Sequence, residues 1–413
     1  MIRHYLILAT KVLLRRKFFT FISLFGIAAT LVVFVVIAAF LDHAFGPGAP
    51  ESKQDRMLAV QRAVMWGEGF QMSSHAGFKL FDTYARDLPG VERMTVFSNA
   101  GRVDSFRDGE KRSVWMKYTD GEFWRVFDFT FIEGRPYDIA DVDNGDLVAV
   151  LSQSARRRLL GDGPAVDATV DVDGRRFRVV GVVADVSEMR FLPFSEMWVP
   201  HTAEKTSAYR DQLMGGYQAV VLGASRDALP GIRAEFNSRL RRVDLPAGVQ
   251  ALVAPFETRF EGFARQMQLG DVRSPDSHAD NVIVALTVVG LLLAFLPAVN
   301  LVNLNISRIL ERASEIGVRK AFGASSRRLV VQFVVENVLL TVTASLLAFV
   351  LAGLLLRAIN SSGLIAHAAL GINLRVFAVG VVLAVAFGIA SGVYPAWRMS
   401  RLHPVAALKG HSR

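Results

Sequence analysis

The chain has 413 residues, 52% of them hydrophobic, and a mean hydropathy of +0.32. That is too apolar for an ordinary soluble protein. The chain carries 47 basic and 38 acidic residues and no cysteine, which excludes structural disulfides and thiolate metal sites.

Residues 1–17 place Ile2, Tyr5, Leu6, Ala9 and Leu13 against Arg3, Lys11 and Arg16. The pattern fits an interfacial amphipathic helix or a plain basic flank. Phe18–Leu41 follows as an apolar run of 24 residues, longer than the ~7–15 of a signal peptide core. Leu41-Asp42-His43 offers no small-residue cleavage pattern, so the run is read as a retained span. Asp42 and the cluster Gly46-Pro47-Gly48-Ala49-Pro50 are expected to end it.

The block 42–280 reads as an α+β domain. Ser113–Tyr118, Leu147–Leu151, Trp198–Val199, Gln218–Leu222 and Gln250–Val253 carry strand formers. Ser152 caps a helix through Leu160, which Gly161 ends. Ala168–Asp171 and Arg176–Val183 flank Asp173-Gly174, a strong hairpin signal. Ser225 opens a helical stretch to about Arg242, with Pro230 near its start. The length suits two subdomains, one inserted into the other. Phe256–Ser277 reads as a stalk extending the next span outward, with Gly270 and Pro275 as breakers.

Three more apolar runs follow: Val282–Leu304, Leu329–Leu356 and Leu374–Val393. Each is long enough to cross a hydrocarbon core of roughly 30 Å at ~1.5 Å per residue. Pro297 predicts a kink in the first of them. Glu336 is the sole acid of the second, expected to reach Arg328 or to pair with an asparagine. Tyr394-Pro395-Ala396-Trp397-Arg398 is expected to end the last, and His403–Lys409 to form a short terminal helix.

Between the second and third spans lies Arg308–Ala324. Arg308, Glu311, Glu315 and Arg319 share one helical face, and Glu315 precedes Arg319 by four residues, the favourable order for an ion pair. Gly323 suits a left-handed cap. From its shape alone this segment is either a docking surface or an ordinary solvated loop.

Charge sets the topology. Residues 1–17 hold five basic residues and no acid, 306–328 hold six against two, and 397–413 hold four against none. Residues 42–280 hold 30 basic and 35 acidic residues. Lys and Arg gather on the cytoplasmic side of membrane proteins, and four spans put all three basic segments on one side. The basic balance therefore needs no nucleic-acid partner. The expected fold is a four-span α-helical membrane protein with a large α+β periplasmic domain inserted between spans 1 and 2. Its parts are an N-terminus over 1–17, transmembrane helices over 18–41, 281–305, 329–357 and 374–396, the periplasmic domain over 42–280, a cytoplasmic helix over 306–328, a periplasmic loop over 358–373 and a cytoplasmic tail over 397–413.

No G-x-x-x-x-G-K-[ST] loop occurs, so these residues hold no ATPase site of that class. No HExxH occurs, and the eight histidines include no i, i+4 pair. Ser152 is a cap rather than a nucleophile. No catalytic, cofactor or metal site is expected on this chain.

The order of span, outer domain, span, charged loop and two spans resembles the MacB/FtsX-like family of ABC transporter permeases. Glu311-x-x-x-Glu315-Ile316-Gly317-x-Arg319-Lys320-Ala321-x-Gly323-Ala324 is similar to the family's loop signature. Tyr394-Pro395-Ala396 with Pro404-Val405-Ala406-Ala407-Leu408 resembles its terminal pattern. Gly134-Arg135-Pro136, Leu147–Ser152 and Phe177–Asp185 resemble its periplasmic core. The resemblance implies that the loop helix docks on an ATPase, with Glu311, Glu315, Gly317, Arg319, Lys320, Gly323 and Ala324 as the coupling set. It further implies a dimeric ABC ATPase on another polypeptide, binding ATP and magnesium there, and a second permease chain, same or homologous. A periplasmic adaptor and an outer-membrane channel are further implied partners, in a bacterial inner membrane. Closure driven by ATP would pass to the periplasmic domains by mechanotransmission, to export drugs, peptides or lipids. A lipoprotein-release permease, an FtsX-like regulator of a cell-wall hydrolase and a sensor-type partner of a two-component system are the rival readings.

Overall fold

The computed structural model of the chain describes residues 7, 10–11, 13–15, 17–107, 109–161, 163–268, 270–311 and 326–400; the side chains of 107, 294, 296–298, 300, 301, 303–311, 326–329, 392 and 394–400 lie outside the described set. The chain divides into two compact units. One holds residues 1–43, 284–364 and 369–413, the other 44–283 and 365–368.

The first unit is helical. Its elements are α1 (Lys17–Phe45), the long helix Ala279–Glu311, and the helices Ser326–Ser362 and Leu374–Ser400. Among the described residues three segments are long and apolar enough to cross a membrane: Lys17–Phe45, Val330–Ser362 and Leu374–Ser391. The described apolar part of the fourth helix, Ala279–Leu293, is shorter. Small residues allow close packing where Ala28 and Leu31 of α1 meet Leu340, Ala344 and Ala348.

Two helix ends differ from the sequence expectation. Asp42 does not stop α1, which runs to Phe45, because no backbone breaker precedes Gly46. Pro395 does not stop the last helix, which continues to Ser400. A proline lacks only its own N–H, so the neighbouring rungs of the ladder can persist. Glu336 is buried and accepts from Gln332 Nε2 at 3.0 Å, while the side chain of Arg328, its expected partner, lies outside the described residues. Asn337 instead donates to the Gly388 carbonyl at 3.2 Å.

The second unit is built on one mixed sheet network of 14 strands. In chain order they are β1 (Met57–Val60), β2 (Ala63–Gly67), β3 (Phe70–Ala76), β4 (Val91–Ser98), β5 (Gly101–Arg107), β6 (Glu110–Thr119), β7 (Phe131–Gly134), β8 (Val148–Ser152), β9 (Thr169–Val172), β10 (Arg175–Val183), β11 (Met197–Pro200), β12 (Met214–Gly215), β13 (Tyr217–Gly223) and β14 (Val249–Val253). Its helices include α2 (Phe78–Tyr84), α3 (Phe123–Val126), α4 (Ile139–Asp143), α5 (Gln153–Leu160), α6 (Leu229–Leu240) and α7 (Arg259–Gln266); the long helices are then α8 (Ala279–Glu311), α9 (Ser326–Ser362) and α10 (Leu374–Ser400). One core joins residues from β1–β4 with Tyr217, Val221, Ile232, Phe236 and Phe256 from the far end of the block. Another is formed by the middle, around Val114, Leu151, Val172, Phe177 and Val199. The middle is thus inserted into a layer made by the two ends, yet the strands pair across both.

Local signals act as expected. The Ser152 hydroxyl accepts from the Ala155 N–H, and Gly161 ends α5 at φ 75°. Asp173 and Gly174 both have positive φ, as a two-residue hairpin between β9 and β10 needs. The stalk is interrupted. α7 is a separate short helix opened by a Thr258–Glu261 capping box, and α8 begins only at Ala279.

Candidate functional site

Glu311 is the last residue of α8 and its side chain lies outside the described residues. Glu315, Gly317, Arg319, Lys320, Gly323 and Ala324 also lie outside them. The structure instead places a buried ionic knot where the chain enters and leaves the large unit.

Glu51 is the centre of that knot. It stands six residues past Phe45, and its side chain is 1% exposed. Arg190 Nη1 lies 3.1 Å from Glu51 Oε2, and Arg259 Nη1 donates to the same oxygen. Each arginine also ties down backbone: Arg190 donates to Gly46 O at 3.2 Å and Arg259 to Met189 O at 2.8 Å. The Arg259 guanidinium sits 5.5 Å from the centre of the Phe191 ring. Three distant segments therefore meet on one carboxylate: the entry 46–51, the loop 189–191 and the exit helix α7.

Burial works against both signs of charge here. It pushes the Glu51 carboxyl up, while Arg259 and then Arg190 pull it back. It pushes Arg259 down, and Glu51 opposes that shift. Lys117 lies next to the knot. It is fully buried, and burial drops its pKa to about 7 against the pull of Glu51. Its ammonium donates to the Phe191 carbonyl at 3.2 Å and to that of Leu192, over the Phe97 ring.

A second pair closes the exit. Arg265 donates through Nε to Glu257 at 2.8 Å, and through its terminal nitrogens to Ser274 O at 2.8 Å and Pro275 O at 3.0 Å. Glu257 in turn pairs its backbone with Ala59, the amide of each donating to the carbonyl of the other. Phe45 completes the join, with its ring 5.6 Å from Phe260 and 5.2 Å from Phe263.

Asp120 reads differently. Burial lifts its carboxyl to about 6, a shift that would suit an acid–base group. It accepts from the Thr95 hydroxyl and from the Val96 and Phe123 N–H groups, and so ties β4 to the start of α3.

The knot was not visible as a motif. Its members are 139 and 208 residues apart, and each alone reads as a surface charge. The nearest signal was Glu51 directly after the Gly46–Pro50 breaker cluster.

Residues 20–239 match the MacB-like periplasmic core domain, and residues 287–404 match the FtsX-like permease C-terminal domain. The chain belongs to the MacB/FtsX-like family of ABC transporter permeases. Members of that family are the permease components of transporters that work with an ATPase, and the chain is a membrane protein with a periplasmic domain. It is 23% identical over 416 residues to the pyoverdine export ATP-binding/permease protein PvdT of Pseudomonas fluorescens, covering 97% of this chain and 58% of that one. It is 20% identical over 329 residues to the uncharacterized ABC transporter permease YknZ of Bacillus subtilis, covering 78% and 77%. It is 25% identical over 291 residues to the macrolide export ATP-binding/permease protein MacB of Bdellovibrio bacteriovorus, covering 68% and 41%. The chain thus spans 58% of the length of the pyoverdine-export relative.

Proposed function

We propose that this chain is the permease subunit of a MacB-type ABC transporter. It has four spans, with Ala279–Glu311 as the second, cytoplasmic termini and an inner-membrane location. ATP hydrolysis, with magnesium, occurs on an ATPase outside these 413 residues. The coupling set around Glu315 and Arg319 receives that closure. The helices pass it to the periplasmic domain, and a second permease chain does the same. An adaptor and an outer-membrane channel would complete an export route for drugs, peptides or lipids. The named cargoes of the relatives, pyoverdine and macrolides, fall within that range.

The observation that carries the reading is the knot on Glu51. A transmission element must not slip under load. Buried ion pairs meet that need, since removing one partner from such a pair costs ~3–5 kcal/mol. Phe45 packs on Phe260 and Phe263 of α7, and Arg259 of the same helix holds Glu51, so the residues that follow α1 are tied into the large unit; on this reading they take up a displacement of α1.

The test is Glu315→Ala with Arg319→Ala in the full chain, together with its ATPase. The expected outcome is normal membrane insertion with ATP hydrolysis no longer linked to export. Unchanged ATPase association and unchanged export would remove the coupling role.

A further inference from the structure

A cleft of about 490 Å³ opens on the large unit between the β5–β6 hairpin, α5, the start of β11 and the segment 365–368. That volume suits a small molecule. Most polar groups around it already have partners. Glu196 accepts from the Trp115 N–H at 2.9 Å and pairs with Arg158. Asp185 accepts from the Ser154 N–H and hydroxyl and stands 3.6 Å from His367 Nδ1. The Ser113 hydroxyl donates to Asp104, which Lys111 also holds.

Three charged side chains in the lining are left over. Arg102, Arg157 and Glu188 make no side-chain hydrogen bond or ion pair among the described residues, and all three are exposed. Two guanidiniums and one carboxylate thus line the same space, and Arg102 also acts through space on Asp104. The half-buried indole of Trp115 lines the same space. A guanidinium is a planar fork matched to carboxylate or phosphate oxygens, and an indole face takes an apolar or aromatic body.

We propose that this cleft binds a small amphipathic anion, with a carboxylate or phosphate held by Arg102 and Arg157 and its apolar body against Trp115. Glu188 limits the site to a low net positive charge and so selects against polyanions. The site also includes a segment of mechanical interest. Ala366 O accepts from the Glu188 N–H at 3.4 Å, and Ile365 begins three residues past the end of α9.

The experiment uses the full chain in phosphatidylcholine nanodiscs and measures binding calorimetrically. The probes are N-acetylphenylalanine, phenyl phosphate and the uncharged N-acetylphenylalanine amide. At least one charged probe should bind, at least tenfold more tightly than the amide, and the stronger of the two identifies the anion class. Arg102→Gln with Arg157→Gln should weaken it at least tenfold, and Glu188→Gln should strengthen it. Among the described residues neither guanidinium hydrogen-bonds another group, and Arg102 acts on Asp104 only through space, so the double variant should stay folded; Arg102→Lys with Arg157→Lys should retain more binding than the glutamine pair. Equal binding of the amide, no loss in the glutamine pair, or no binding of either charged probe at millimolar concentration overturns the proposal. The assay involves no ATPase and no transport, so its result is independent of the permease reading.

Discussion

Replacing Glu51 with glutamine tests the knot directly. The substitution keeps the shape of the side chain and removes its charge. It leaves two guanidiniums, 7% and 4% exposed, without the carboxylate that they share. Breaking a buried pair by removing one partner costs ~3–5 kcal/mol. The loss is not doubled here, because Arg190 keeps Gly46 O and Arg259 keeps Met189 O. A destabilisation of about 4 kcal/mol follows, which for a unit of this size lowers Tm by roughly 10 °C. Thermal unfolding of the full chain in detergent, followed by tryptophan fluorescence, reads the large unit well, since four of the five tryptophans lie in it. The control is Glu51→Leu with Arg190→Met and Arg259→Met. An apolar replacement of a whole buried cluster is often neutral or stabilising. The triple variant should therefore unfold near the wild-type temperature. A Tm for the glutamine variant within about 2 °C of wild type, where ~1 kcal/mol would already show, refutes the assignment of Glu51 as the anchor.

Lys117 gives a pH signature. Its pKa is about 7 in the folded chain against an ordinary 10.5, with burial as the cause. Between these values the unfolded chain binds a proton that the folded chain does not, so stability rises with pH by up to about 1.4 kcal/mol per unit. Below pH 7 the penalty is fully present. Lys117→Met should flatten this slope, as read from denaturant unfolding at pH 7 and pH 9; an unchanged slope would place its origin elsewhere. Gly134, part of the Gly134-Arg135-Pro136 motif, has φ +68°, and a Cβ there would lie 2.2 Å from Val180 O. Gly134→Ala should cost about 3 kcal/mol, strain and collision together. Gly145→Ala, at φ +71° with open space around it, should cost only about 1 kcal/mol. Equal losses in the two alanine variants, measured by the same unfolding assay, would remove the steric argument.

Legibility followed sequence distance. β8 to β10 could be read because their information is local: a capping serine, an Asp-Gly turn, and hydrophobic runs bounded by both. The opening strands gave no such signal. β1 pairs with β13, Leu58 opposite Val221, and β2 pairs with β14, Val64 opposite Val253. Partners that far along the chain leave no periodicity nearby to betray them. β3 is almost wholly exposed, so its Phe-Gln-Met-Ser-Ser run lacks the alternation that marks a half-buried strand. The knot failed to show for the same reason in stronger form, because charge pairing carries no sequence period at all.

The helix ends carry the remaining lesson, and it is mechanical. Hydropathy stops at Leu41, where lipid contact would end, but hydrogen bonding continues until a breaker intervenes at Gly46. The four residues between, Asp42 to Phe45, are helical and no longer apolar throughout. A helix is stiff along its axis and fixes rotation at 3.6 residues per turn. Within the large unit the Phe45 ring lies 5.6 Å from that of Phe260 and 5.2 Å from that of Phe263, and Glu51 follows it by six residues. A flexible linker in place of that overrun would let α1 move without moving the domain. On the proposed mechanism, the overrun and the knot work in series, and loosening either should lower export without lowering the partner's ATP hydrolysis.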